Sequence, residues 1–325
     1  MNAAVFIAAV CLCVPLAGWL YQKLGERRDA RRLPPPGEIL GGFHVVRGGD
    51  ANIPIVFEAG IASTSLSWMN ILKLLPPRQR FAAYDRLGYG WSGPPSSPRT
   101  LDAAADELLR LLDLAGITSP AVFAGHSFGG LIVRHIAALH PERVAALLLL
   151  DPLEPFEWHP LAPERVPVLA RGVMLSRRGA LLARLGVVRF ALDLLVSGTQ
   201  ALPRLLARAS AGKGSNITGR LVGEVRKMPP EIWPAVKAHW CRPLGFTTMA
   251  EYLERLPDSC RQASTEPIPP DIPVTIITAS TAPAPVRAAH AAYATRHLTP
   301  DNTGHWVQLD QPQLVLDELL RLATL

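Results

Sequence analysis

Apolar side chains along this chain fall into short uninterrupted runs, separated by stretches in which they recur at helical spacing. Ile53 to Glu58, Phe81 to Asp85, Val144 to Leu150 and Pro273 to Ala279 are of strand length and mainly apolar, as is Ala121 to Ala124 ahead of a glycine-rich turn. Continuous apolarity over such a length marks strands covered on both faces, as in parallel sheets. Phe43 to Arg47 reads as an edge strand. Between these runs, Leu101, Ala105, Leu108, Leu109 and Leu112 line one face of a helix over Leu101 to Ala115 with acids opposite. Further helices are expected over Leu131 to Leu139 and Gln313 to Leu322. Strands alternating with helices give an α/β class, a mostly parallel sheet flanked by helices.

The alternation stops after Leu153 and resumes near Pro270. This predicts a core built from 39–152 and 271–325, interrupted by a helical cap or lid over 153–270. Within the lid, from Arg165 to Lys213, the nine basic residues Arg165, Arg171, Arg177, Arg178, Arg184, Arg189, Arg204, Arg208 and Lys213 stand against the single acid Asp193. Mixed with leucine and valine, they suit either a face lying on anionic lipid or a solvated lid whose apolar side covers a site. Trp158, Trp233, Trp240 and Phe246 are candidates to line a pocket beneath it.

The first apolar run is of another kind. Ala3 to Tyr21 carries no charged side chain, about the length a helix needs to cross the hydrocarbon core. Lys23, Arg27, Arg28, Arg31 and Arg32 follow it. The expectation is an uncleaved transmembrane anchor over 1–22, a basic, proline-rich linker over 23–38 containing Pro34-Pro35-Pro36-Gly37, and a catalytic domain on the cytoplasmic side. A cleaved signal peptide, with a secreted or periplasmic product, is the rival reading.

At 325 residues and 49% hydrophobic composition the chain can bury a large core. Its formal charge of +6 suits a membrane surface better than nucleic acid, because no basic–aromatic interleaving or nucleic-acid-binding signature accompanies it. Cys241 and Cys260 are isolated, leaving room for one bridge but not for a metal site. No cofactor motif is present, so neither cofactor nor metal is expected.

The chemistry concentrates in Gly125-His126-Ser127-Phe128-Gly129, a G-x-S-x-G pattern between the strand at Ala121 and the helix at Leu131. Strand, sharp turn and helix are the context in which a serine hydroxyl stands above a sheet edge. A serine hydroxyl is a poor nucleophile without a base to take its proton and an acid to hold that base's tautomer.

With Glu58-Ala59-Gly60, Tyr84-Asp85-Arg86-Leu87-Gly88-Tyr89-Gly90-Trp91-Ser92, Leu150-Asp151-Pro152 and Gly304-His305-Trp306-Val307-Gln308-Leu309-Asp310-Gln311-Pro312, the chain resembles the α/β-hydrolase superfamily, specifically its lipase/esterase-like branch. The resemblance runs from about Pro34 to the C-terminus, except for the middle insertion. It implies a metal-free hydrolysis through an acyl-enzyme, with Ser127 as nucleophile and a late histidine, His305, as base. It also implies an oxyanion hole made by the Ile61 and Phe128 amides. The acid departs from the usual pattern, since no carboxylate follows Pro273 to Ala279. Asp151, ending the strand next to the nucleophile strand, is placed to reach the His305 loop, with Asp301 and Asp310 as rivals. The family often has His-Gly where this chain has Glu58-Ala59-Gly60. The expected substrate is a small-molecule or lipid ester, apolar in its acyl part. A thioesterase or amidase with the same residues, or a low-turnover ligand-binding protein, is the alternative. An epoxide hydrolase or haloalkane dehalogenase needs a carboxylate where Ser127 stands.

Overall fold

The apolar runs form the middle of an eight-stranded sheet in the order β1-β2-β4-β3-β5-β6-β7-β8. Its strands are β1 (Glu38–Leu40), β2 (Phe43–Gly48), β3 (Ile55–Glu58), β4 (Phe81–Tyr84), β5 (Ala121–His126), β6 (Val144–Leu150), β7 (Val274–Ile277) and β8 (Arg296–Leu298). The computed structural model describes residues 3–196 and 224–324, with side chains over 12–194 and 224–324. β2 runs antiparallel to β1 and β4, and all other pairings are parallel. The three-residue strands β1 and β8 escape sequence reading because they are too short and too exposed to show a pattern.

Side chains of the central strands alternate between two cores. Phe123, Leu147 and Leu149 pack under helices Leu101–Leu114 and Phe128–Leu139, while Val122, Ala124, Leu148 and Leu150 pack under Pro312–Leu322 and Trp68. This period of two within a fully apolar run is what a strand buried on both faces requires. Each such leucine or phenylalanine contributes about 1.5–3 kcal/mol by leaving water. Thr100 starts the first of these helices, its hydroxyl accepting from the Ala103 amide at 3.2 Å.

The register sets up the site. Glu58 pairs with Gly125, His126 with Leu150, and Leu150 with Ile277. The chain therefore leaves β3, β5, β6 and β7 along one edge, at Ala59, Ser127, Asp151 and Thr278.

Between β6 and β7 the described residues are helical, including Val166–Arg184, Val187–Val196, Trp233–Trp240, Pro243–Glu254 and Leu256–Ala263. Gly179 lets Val166–Arg184 close on Phe246, where an added Cβ would lie 2.6 Å from the ring. Tyr252, Leu256 and Cys260 carry the cap into the main core. Cys241 and Cys260 are both buried free thiols, so the bridge between them is not formed. Of the basic lid residues, Arg204, Arg208 and Lys213 lie outside the described residues. Arg189 is not presented at a surface. It is buried, and it pairs with Asp29 at 2.6 Å.

The N-terminal expectation is corrected. Among the described residues no helix is long and apolar enough to cross a membrane, which overturns the transmembrane anchor over 1–22 and the single-pass placement with a cytoplasmic catalytic domain. Ala3–Arg32 is instead one helix, continuing through most of the stretch expected as linker. Its second half docks on protein. Gly18 sits against the Leu185 carbonyl, where a Cβ would come within 2.3 Å, and the Tyr21 hydroxyl donates to Asp193. Gln22 donates to the Cys241 carbonyl at 2.8 Å and accepts from Arg189 Nε at 3.0 Å. Hydropathy alone reads such a run as lipid-facing. The polar residues at Gln22, Glu26 and Asp29, one helical turn apart, are the part that meets the cap and the charged side chains around it.

Candidate active site

Ser127 caps the N-terminus of helix Phe128–Leu139 with φ 54° and ψ −121°. A non-glycine residue in that region is strained by about 1–3 kcal/mol and needs its surroundings to hold it. They do so through three backbone bonds: Ser127 N–H donates to Leu150 at 3.1 Å, and its carbonyl accepts from Gly130 at 2.9 Å and Leu153 at 3.2 Å. Glycine is required on the helix side because a Cβ at Gly129 would lie 2.5 Å from the Glu58 and Ala59 carbonyl oxygens. A Cβ at Gly125 would meet Gly130 Cα at 2.7 Å. The elbow is thus pressed directly onto the turn that follows β3.

That turn is Ala59-Gly60-Ile61. Gly60 faces the serine, since a Cβ there would stand 3.4 Å from Ser127 Cβ and 3.1 Å from His126 Nδ1. The Ile61 N–H has no protein acceptor among the described residues. Phe128 N–H opens the elbow helix, where the helix dipole favours negative charge.

Asp151 follows β6 with φ 40°. Its N–H donates to Ile277 at 2.8 Å, its Oδ1 accepts from Ala279 N–H at 3.1 Å, and its Oδ2 meets His305 Nδ1 at 2.6 Å. Burial alone would raise its pKa. The hydrogen bond and charge of His305, with the Ala279 amide, outweigh that and hold it below the usual carboxylate value. The rival acids are elsewhere: Asp310 accepts from Gly304 N–H at 2.8 Å and pairs with Lys227 at 2.5 Å, and Asp301 is exposed.

His305 sits in the loop between β8 and Val307–Asp310, its side chain half exposed. Its carbonyl accepts from His126 Nε2 at 2.9 Å, and the two imidazoles lie 4.8 Å apart. Among the described residues Ser127 Oγ makes no hydrogen bond to His305. The structure therefore joins His305 to Asp151 directly, and to Ser127 only through the neighbouring His126. Such bonds are commonly loose without substrate.

Two features went unread in the sequence. His126, which fills a free position of the elbow pattern, is the bracket between the elbow and the His305 loop. Burial drives its pKa from 6.5 to about 3, so it is neutral. Because Nε2 faces a carbonyl, it carries the proton, and Nδ1 is left a buried acceptor without partner. The second is a buried cluster of Glu58, Tyr84 and Arg86 beneath the Ala59-Gly60 turn. Two charged side chains in adjoining sequence motifs were its only advance signal.

A cavity of about 740 Å³ lies between the N-terminal helix, the loop at Gly90 and Trp91, and the cap. Neither Ser127 nor His305 borders it, and nor do Trp158, Trp233, Trp240 and Phe246, the expected pocket residues. Beside His305, Trp306 joins Leu66, Met69, Trp91, Trp240 and Ile232 in an apolar cluster under the cap.

Sheet order, elbow and late histidine define an α/β hydrolase. Residues 53–312 match the family described as alpha/beta hydrolase fold, and the chain belongs to it. It is 42% identical over 111 residues to a lipase, LipV, of Mycobacterium tuberculosis, a match covering 34% of this chain and 41% of that protein. The chain spans less than half the length of the curated relatives it first matches. Among solved structures, an enol-lactonase of Burkholderia xenovorans superposes with a TM-score of 0.58 at 19% identity, over 89% of this chain and all of that one. An alpha/beta hydrolase fold protein of Burkholderia ambifaria gives a TM-score of 0.59 at 21% identity, over 86% and 93%. At these identities the structures speak for the fold alone.

Proposed function

We propose that this protein is a serine hydrolase of carboxylic esters with an apolar acyl part. The observation that carries the reading is the 2.6 Å bond from His305 to Asp151, set at the same sheet edge as a serine held at positive φ. Ser127 Oγ attacks the ester carbonyl while His305 Nε2 takes its proton. The oxygen of the tetrahedral intermediate gains negative charge and is met by the Ile61 and Phe128 amides. Collapse expels the alcohol, which receives the proton from His305, and leaves an acyl-Ser127. Water, deprotonated by His305, then attacks that ester and releases the acid. The apolar cluster around Trp306 suits a hydrocarbon acyl chain, and the lipase relative is in keeping with it.

Labelling with a fluorophosphonate tests the reading. The protein should be labelled and Ser127→Ala should not, and a panel of nitrophenyl esters of graded length should then be hydrolysed. One observation favours a second reading, a ligand-binding protein of low turnover: Ser127 makes no hydrogen bond to His305. Folded protein that takes no label would establish that reading instead. A thioesterase or amidase would label but prefer the corresponding substrates.

A further inference from the structure

The Ala59-Gly60-Ile61 turn must present an amide to the developing oxyanion, yet it lacks the His-Gly that often stands there in this family. Something else has to hold it. Arg86, two residues past β4 and buried, reaches under the turn and donates from Nη1 to the Ala59 carbonyl at 2.6 Å and from Nη2 to the Gly60 carbonyl at 2.5 Å. Nη1 also pairs with Glu58, whose other oxygen accepts from the Tyr84 hydroxyl. The guanidinium is flanked by the rings of Tyr252 at 5.2 Å and Tyr89 at 5.8 Å.

We propose that Arg86 is the positioning residue of the oxyanion hole: by gripping the Gly60 carbonyl it aims and polarises the Ile61 N–H. The inference rests on the ester-hydrolase reading. The peptide unit is planar and trans, so the Gly60 C=O and the Ile61 N–H point in opposite directions from one rigid plate. Fixing the oxygen on Arg86 below fixes the N–H toward the Ser127 side. A cation on the carbonyl oxygen withdraws density through the amide and makes its N–H a better donor. The fork of the guanidinium is what allows two successive carbonyls to be held at once, which an ammonium does not reproduce. Glu58 keeps the charge paired where both side chains are buried. Glu58 thus supports the turn through Arg86.

The test compares wild type, Arg86→Met and Arg86→Lys with a para-nitrophenyl ester and a trifluoromethyl ketone, whose serine-bound hemiketal oxyanion mimics the intermediate. Loss of an aligned oxyanion donor costs about 100-fold or more in kcat. Arg86→Met should lose about that much in kcat with KM little changed, weaken the ketone by a similar factor and slow fluorophosphonate labelling. Arg86→Lys should recover only part. Should Arg86→Met fail to fold, Glu58→Gln with Arg86→Met leaves no buried charge unpaired and is expected to show the same loss. Folded variants that keep wild-type kcat, or in which only KM changes, overturn the proposal. Wild-type protein that takes no label would instead sink the hydrolase reading itself.

Discussion

His305 Nδ1 and Asp151 Oδ2, 154 positions apart in sequence, meet at 2.6 Å. A carboxylate in that place draws the imidazole proton onto Nδ1 and leaves Nε2 with its lone pair free, the tautomer a base facing Ser127 needs. Replacing Asp151 with asparagine keeps the shape but offers an N–H to Nδ1 and reverses the tautomer. Asp151→Asn should therefore lower kcat by about 10⁴-fold with the fold intact, whereas Asp301→Asn should leave it unchanged. Steady-state ester hydrolysis and circular dichroism check this. Near wild-type turnover in Asp151→Asn would remove it from the machinery.

Acid sensitivity should come partly from buried neutral histidines. Burial pushes His239 from 6.5 to about 4, and its ring lies edge-on to Trp91 at 4.3 Å with Nδ1 unpartnered. The unfolded chain takes up this proton near its ordinary pKa. Between these values it holds more protons than the folded state, so this stability is present above about pH 6.5 and lost as pH falls toward 4. His126, at about 3, adds to the same slope. His239→Phe keeps the ring against Trp91 and cannot protonate. Urea melts should show it gaining on wild type, by on the order of 1–3 kcal/mol, as the pH is lowered through that window. Parallel pH curves for the two proteins would rule out the contribution.

How much of this was legible follows from what each signal depends on. The apolar runs announced β3 to β7 because burial on both faces leaves no room for polar residues, and the elbow showed itself through glycines that the Gly129–Glu58 contact makes unavoidable. The pairing of His305 with Asp151 was legible from strand adjacency, since β5 and β6 are neighbours ending at one edge. The Arg86 grip was not, because its partners are main-chain carbonyls, which carry no sequence signature. Nor was the docking of the N-terminal helix. A run of alanine, valine and leucine is equally compatible with lipid and with protein, and only the partners of Tyr21, Gln22 and Asp29, distant in sequence, distinguish them.

The serine conformation predicts a trade between stability and chemistry. Glycine adopts φ 54° without the Cβ penalty, while alanine does not escape it. Ser127→Gly and Ser127→Ala should both be inactive. The glycine variant should be the more stable of the two by about 1 kcal/mol, the strain relieved less the added freedom of the unfolded chain. Thermal melts of the pair decide it. An alanine variant as stable as the glycine one would mean that the positive φ stores no strain.

The N-terminal helix should behave as part of the cap. Arg189 is 1% exposed and donates to Asp29 at 2.6 Å and Gln22 at 3.0 Å. Asp29→Ala strands a buried guanidinium, and removing one partner of such a pair costs about 3 kcal/mol. The double change Asp29→Leu with Arg189→Met leaves no charge behind, and apolar groups of similar volume replace a buried ion pair with little loss. The single variant should thus melt well below wild type and the double variant close to it. If Asp29→Ala unfolds at the wild-type urea midpoint, the helix contributes nothing through this pair, and its contact with the cap is energetically neutral there.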